Sequence, residues 1–122
     1  MELQAKANQS FPLTCRLTFS YEFDAVFDQN EARISSVSLL LLAKPNNLGF
    51  NRLGMIVSKK TIPKSAHRNK VKRRIREAFR KTVPVKSTGW DIVVMTRPQM
   101  KSQSNLTSCL QDSFTALAEK LT

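Results

Sequence analysis

The chain has 122 residues, 41% of them hydrophobic, and sets 20 Lys and Arg against 9 Asp and Glu, a formal net charge of +11 at pH 7. That length fits one domain with a modest core of its own, and apolar residues spread throughout exclude a disordered polyelectrolyte. The charge excludes a cationic partner and points to a polyanion.

In chain order, residues 1–10 are polar and aperiodic, and a flexible N-terminal arm is expected there. Phe11-Pro12 opens an extended segment. Ser20 is a candidate N-cap for a helix over 21–29, with Phe23, Val26 and Phe27 at i, i+3 and i+4 on one face. Residues 36–44 read as a strand closed by Pro45-Asn46-Asn47, and the turn continues around Gly49. A second strand follows over 52–58, so a hairpin with a long loop is expected. Ser65 is a candidate N-cap for a helix over 66–82, which should end before Pro84. Lys86 to Gly89 is a turn, and Trp90 to Thr96 a third strand. From about Ser102, Leu106, Cys109, Leu110, Phe114, Leu117 and Leu121 recur at helical spacing. The order αββαβα predicts a single α+β domain, a small central sheet packed with helices.

The two cysteines, Cys15 and Cys109, lie far apart, and His67 is the only histidine, so zinc-ligand spacing is absent. Reduced thiols are expected. No N-terminal stretch has a signal-peptide pattern. The longest apolar run, Val37 to Ala43, is far shorter than the roughly 20 residues of a membrane span. A cytoplasmic protein is therefore expected.

The charge is concentrated. Lys59 to Lys81 holds eleven Lys or Arg and one acid, Glu77, which is about ten of the eleven net charges. On a helix, Val71, Ile75, Ala78 and Phe79 form the buried stripe. Asn69, Lys72, Arg73, Arg76 and Arg80 make one flank; Lys70, Arg74 and Lys81 make the other. Like charges at i, i+3 and i+4 repel by a few tenths of a kcal/mol per pair. A phosphate backbone would neutralise them, and each Arg offers a fork for bidentate contacts.

The run Arg68-Asn69-Lys70-Val71-Lys72-Arg73-Arg74-Ile75-Arg76-Glu77-Ala78-Phe79-Arg80 resembles the signature helix of the bacterial ribonuclease P protein subunit. Arg16-Leu17 with Phe23 and Val26-Phe27 is similar to that family's first helix. Arg52-Leu53-Gly54 through Val57-Ser58-Lys59-Lys60 resembles its Gly-containing strand. Trp90-Asp91-Ile92-Val93-Val94 through Arg97-Pro98 is similar to its Asp-strand-Arg segment. About residues 11–120 are covered, which makes 11–122 the family domain. The chain departs at Lys70, where the family has Arg; charge is kept and bidentate geometry is lost.

The resemblance implies a protein that assists a catalytic RNA in endoribonuclease cleavage of precursor tRNA, leaving the mature 5′ end. Catalysis would belong to the RNA and to Mg²⁺ bound mainly by it, with no organic cofactor and no catalytic residue in the protein. It implies that Arg68, Asn69, Lys70, Lys72, Arg73, Arg76 and Arg80 bind the catalytic RNA. It implies that Arg16, Phe23, Phe27, Lys59, Lys60 and Arg97 bind the single-stranded leader of precursor tRNA. It further implies a fold like the second domain of a small-subunit ribosomal protein, with a left-handed βαβ crossover. From spacing alone, Phe23 and Phe27 fit ordinary core positions as well as cleft positions. Leu39-Leu40-Leu41-Leu42 stands where the family often has a further aromatic.

The residues agree with such a division of labour. Aromatics beside cations hold single strands, each base stacking for roughly 1–3 kcal/mol. The nine acids are scattered, with no paired carboxylates for a metal nuclease. His67, at the start of the basic helix, is not expected to act as a general acid or base. Asp91 is expected to fix a turn or a basic neighbour, and Trp90 to anchor the sheet's end. An alternative is a structured-RNA-binding module of ribosomal-protein type with no role in tRNA processing. DNA or membrane partners fit less well: the helix offers almost only cations, and its apolar stripe is needed for the core.

Overall fold

The computed structural model describes residues 16–36, 38–86, 89–97 and 106–121. The N-terminal arm, the Phe11-Pro12 segment, Cys15 and the expected helix start at Ser102 lie outside these residues. The elements are α1 (Ser20–Gln29), β1 (Ala32–Ser35), β2 (Leu39–Pro45), β3 (Arg52–Ile56), α2 (Ser65–Lys86), β4 (Trp90–Thr96) and α3 (Leu106–Leu121). The domain is α+β as expected, but the order is αβββαβα. The added strand, β1, is four residues long and carries a polar side chain at every second position. So short and half-polar a segment leaves little trace in the sequence.

The strands order as β1-β2-β4-β3. β2 pairs antiparallel with β1 and β4, and β3 pairs parallel with β4. The expected hairpin between the second and third strands is therefore absent: β4 lies between them. The reason is burial on both faces. Leu39-Leu40-Leu41-Leu42-Ala43 and Ile92-Val93-Val94 are apolar at successive positions, so these two strands need cover above and below and take the centre. The more polar β1, and β3 with its Arg52 and Gly54, form the edges.

One face of the sheet packs against α2 and α3. Leu39, Leu41, Leu53, Ile92 and Val94 meet Val71, Ile75 and Phe79 of α2 and Leu110, Phe114 and Leu117 of α3. Phe79 and Phe114 meet edge to face, their centroids 6.2 Å apart. The other face packs against α1, where Leu42 and Val93 meet Val26 and Leu17. Residues 16–17 extend this layer along the outer edge of β3, Leu17 N donating to the Leu53 carbonyl at 2.9 Å.

The helix ends differ in detail from expectation. Phe19, not Ser20, is the N-cap of α1. The amides of Thr18 and Phe19 donate to Glu22 Oε1 at 2.7 and 2.9 Å, so an acid two residues into the helix does the capping work. Ser65 is the first residue of α2 rather than the residue flanking it. α2 also runs through Pro84 to Lys86. A proline removes one backbone donor, and near a helix end that single loss does not stop the last turn. Among the described residues no helix is long and apolar enough to cross a membrane.

Candidate nucleic-acid interface

The register of the sheet leaves a half-exposed strip beside α1, the candidate cleft. Moving along the strands on the α1 face, Lys44, Asp91 and Arg52 form one row, Arg33, Leu42, Val93 and Gly54 the next, and Ser35, Leu40, Met95 and Ile56 the third. In the second row Leu42, Val93 and Gly54 are buried, whereas Leu40, Met95 and Ile56 of the third are half-exposed. α1 thus covers the first two rows and leaves the third as an apolar floor.

Phe23 and Phe27 form the α1 wall. Both are half-buried and pack on the cluster of Leu17, Val26, Leu42 and Val93. Each ring is thus partly packed on the core and partly exposed. Phe23 is seated against the β3 backbone, since a Cβ at Gly54 would lie 2.6 Å from its Cε2. Glycine is required there for the close approach of the ring. Leu40 is the leucine of the four-leucine run that faces this cleft half-exposed; Leu39 and Leu41 are buried on the opposite face.

The wall is held in place by a charged network at the other end of α1. Arg52 donates from Nε and Nη2 to Asp91 Oδ1 and Oδ2, each at 2.8 Å, and from Nη1 to Glu22 Oε2 at 2.8 Å. Asn46 Nδ2 also donates to Asp91 Oδ1 at 2.8 Å, and its own Oδ1 accepts from Leu48 N. Asp91 therefore fixes both a basic neighbour and a turn, as expected of it. Burial pushes the Glu22 carboxyl up, but the backbone donors of Phe19 and Thr18 and the charge of Arg52 outweigh it and leave it below its ordinary value. The hydrogen bond to Asp91 is the main cause raising Arg52, which stays charged. Trp90, half-buried at the same end, donates its amide to Asn51 Oδ1.

The cations gather in two places. β3 and β4 are parallel, so the segments that follow them emerge at the same end of the sheet, beside the floor row. Lys59 and Lys60 are exposed in the turn after β3, which is held by Ser58 Oγ on Thr61 N and Oγ1. Arg97 follows β4 and donates to the Ser36 carbonyl at 2.9 Å, which fixes its guanidinium near the β1–β2 connection. These three cations follow the strand ends just past the floor row. A second group lines α2 on the opposite face of the sheet. Asn69, Lys70, Arg73 and Arg80 are exposed, while Arg68, Lys72 and Arg76 are half-buried along one flank.

Two of the expected site residues have further neighbours within the domain. Arg68 donates from Nη1 to the carbonyls of Ile62 and Pro63, so part of its guanidinium braces the loop before α2. Arg16 lies close enough to Arg76 that its charge disfavours the Arg76 guanidinium. Burial, then the charges of Arg16 and Arg73, push Arg76 below its ordinary value. Arg16, paired with Leu53 on the β3 edge, thus has a charged neighbour on α2. The floor residues Ile56 and Met95 carry no signal in the sequence; only the register aligns them.

The comparisons with known proteins point to one family. A family model described as ribonuclease P matches residues 11–122. A ribonuclease P protein component of Azotobacter vinelandii is 42% identical over 90 residues, covering 74% of this chain and 68% of that protein. One from Pseudomonas aeruginosa strain PAO1 is 37% identical over 98 residues, covering 80% and 72%. The solved structure of the ribonuclease P protein from Thermotoga maritima superposes with a TM-score of 0.70 at 27% identity, covering 85% of this chain and 96% of that one. With four matching segments in order, this fold, and relatives above 35% identity, the chain belongs to the ribonuclease P protein family, the protein component of that endoribonuclease.

Proposed function

We propose that this chain bridges two RNAs, the catalytic RNA on α2 and the 5′ leader of precursor tRNA in the α1 cleft. The observation that supports this is that α1, with Phe23 and Phe27, and the basic helix α2 pack on opposite faces of one four-stranded sheet. A protein that only packed against structured RNA would need the basic helix and no second, aromatic-walled cleft. Asn69, Lys70, Lys72, Arg73, Arg76 and Arg80, with the free part of Arg68, meet phosphates of the catalytic RNA. Phe23 and Phe27 stack or cover leader bases, and Arg16, Lys59, Lys60 and Arg97 meet leader phosphates. Mg²⁺ held mainly by the RNA supplies the chemistry. This chain contributes leader binding and charge neutralisation, in a cytoplasmic ribonucleoprotein.

The test is cleavage of precursor tRNA at low Mg²⁺ by a bacterial ribonuclease P RNA, with and without this protein. Restored cutting at the mature 5′ end is expected. RNA binding that leaves cleavage unchanged would instead make the chain a generic RNA-binding module.

The α2 assignment has its own check. Arg76 is crowded by Arg16 and Arg73, and a phosphate would relieve that repulsion. Arg73→Ala and Arg76→Ala should each weaken binding to the catalytic RNA. Each should also flatten the slope of log K against log salt by roughly 0.7 to 0.9, one phosphate contact. Thermal melting should barely move for the exposed Arg73. Binding titrations at four salt concentrations decide it; an unchanged slope removes the phosphate role.

A further inference from the structure

A groove of about 410 Å³ lies between α2 and α3, apart from the α1 cleft. Lys70, Arg73, Arg74 and Lys81 bring four positive charges to it from α2, against the single acid Glu77. Glu77 is partly answered by Lys81 at 3.7 Å. Its floor is apolar, formed by half-buried Ala78 and buried Leu110. α3 supplies Thr107 and Gln111, both exposed. Arg74 Nη1 donates to Thr107 Oγ1 at 2.6 Å, a brace that holds this guanidinium at the groove.

The electrostatics of α3 add to this. Its first turn contains no acidic residue and lies beside the groove, so the positive end of its dipole reinforces the α2 cations. A groove with an anionic preference, an apolar floor and amide and hydroxyl groups on one wall fits a nucleotide better than a bare phosphate. Its volume falls in the range of roughly 300–1,000 Å³ in which small-molecule pockets hold their ligands. Structured RNA presents such units as unpaired, splayed-out nucleotides.

We propose that the α2–α3 groove receives one unpaired nucleotide of the catalytic RNA. Its phosphates meet Lys70, Arg73, Arg74 and Lys81, and its base and sugar lie toward Ala78 and Leu110. This rests on the reading of α2 as the helix that faces the catalytic RNA. It extends that surface from one helix to two and makes Gln111 of α3 a contact residue. It also gives Lys70 a role that needs charge and reach rather than a bidentate fork. The catalytic RNA is favoured over precursor tRNA because the groove shares Lys70 and Arg73 with the α2 surface and lies across the sheet from the cleft.

The test compares Gln111→Glu, Gln111→Lys and Gln29→Glu, each checked for an unchanged melt, in binding to the catalytic RNA alone and to precursor tRNA alone. Gln29 is exposed at the end of α1 on the opposite face, so it carries the same charge change away from the groove. Gln111→Glu should weaken binding to the catalytic RNA about tenfold, as a carboxylate meets a nearby phosphate. Gln111→Lys should tighten it, and Gln29→Glu should change it little. Equal effects of Gln111→Glu and Gln29→Glu would reduce the groove to bulk charge and overturn the proposal. A loss confined to precursor tRNA would overturn the choice of RNA. If Arg73→Ala and Arg76→Ala also leave catalytic-RNA binding intact, the α2 reading itself falls. If they weaken it and Gln111→Glu does not, only the groove is lost.

Discussion

Arg52→Ala should lower the stability of this domain by roughly 3 kcal/mol, in the range found when one partner of a buried ion pair is removed. The side chains involved are poorly exposed: 20% for Arg52, 12% for Glu22 and 7% for Asp91. Alanine at 52 leaves two carboxylates facing each other with their shared cation gone and both Oδ atoms of Asp91 short of a donor. Asn46 still donates to one of them, which keeps the loss below that of a wholly orphaned charge. The effect should depend on pH, with a sign fixed by Glu22. Its folded-state carboxyl lies below the ordinary 4.5, so its contribution is fully present above that pH. It is lost as pH falls through the depressed folded value. The gap between the native chain and Arg52→Ala should therefore be widest at neutral pH and narrow below about pH 4.5 as Glu22 takes up its proton in both. Urea unfolding of the two chains at pH 7 and pH 3.5 measures this. A gap that stays constant, or widens in acid, would mean that the network does not hold α1 to the sheet through charge.

Much of the α2 face was legible in the sequence because a helix converts spacing into direction by a fixed rule. Val71, Ile75 and Phe79 are buried where their period places them. The cleft was less legible, because it depends on strand order. The second and third strands look like neighbours along the chain. Only the need to cover both faces of Leu39–Ala43 and of Ile92–Val94 moves β4 between them. Until that exchange is known, nothing brings Ile56 beside Met95 and Leu40. The role of Glu22 was hidden for a related reason. Its partner Arg52 is thirty residues away, and the bond between them exists only once α1 crosses the sheet next to β3. The same holds for the α2–α3 groove: the sequence shows Arg74 as one more cation, and the bond to Thr107 needs the helix pair.

Phe27→Ala should weaken binding of precursor tRNA relative to mature tRNA by about 5- to 150-fold, the equivalent of one stacked base at roughly 1–3 kcal/mol. The ring is half-buried, so the same change should also reduce stability, by less than the 3–5 kcal/mol typical of a fully buried Phe. Those two effects need separating, since a loosened α1 would also lose leader affinity. Phe27→Leu does so. Leucine keeps apolar cover over Val26 and Leu42 and removes the flat face on which a base can stack. If the ring acts in the cleft, Phe27→Leu should melt close to the native chain and still lose most of the preference for precursor. If it acts only as cover, Phe27→Leu should bind both RNAs as the native chain does, and Phe27→Ala should lose affinity only as far as its melting point falls. Phe23 answers differently because its ring fills the space above Gly54. Removing it opens a void against the β3 backbone, so its stability loss should exceed that of Phe27. The position whose precursor preference falls furthest beyond its loss of stability is the one where the leader stacks, and Phe27, whose ring is not the one seated over Gly54, is expected to be that position.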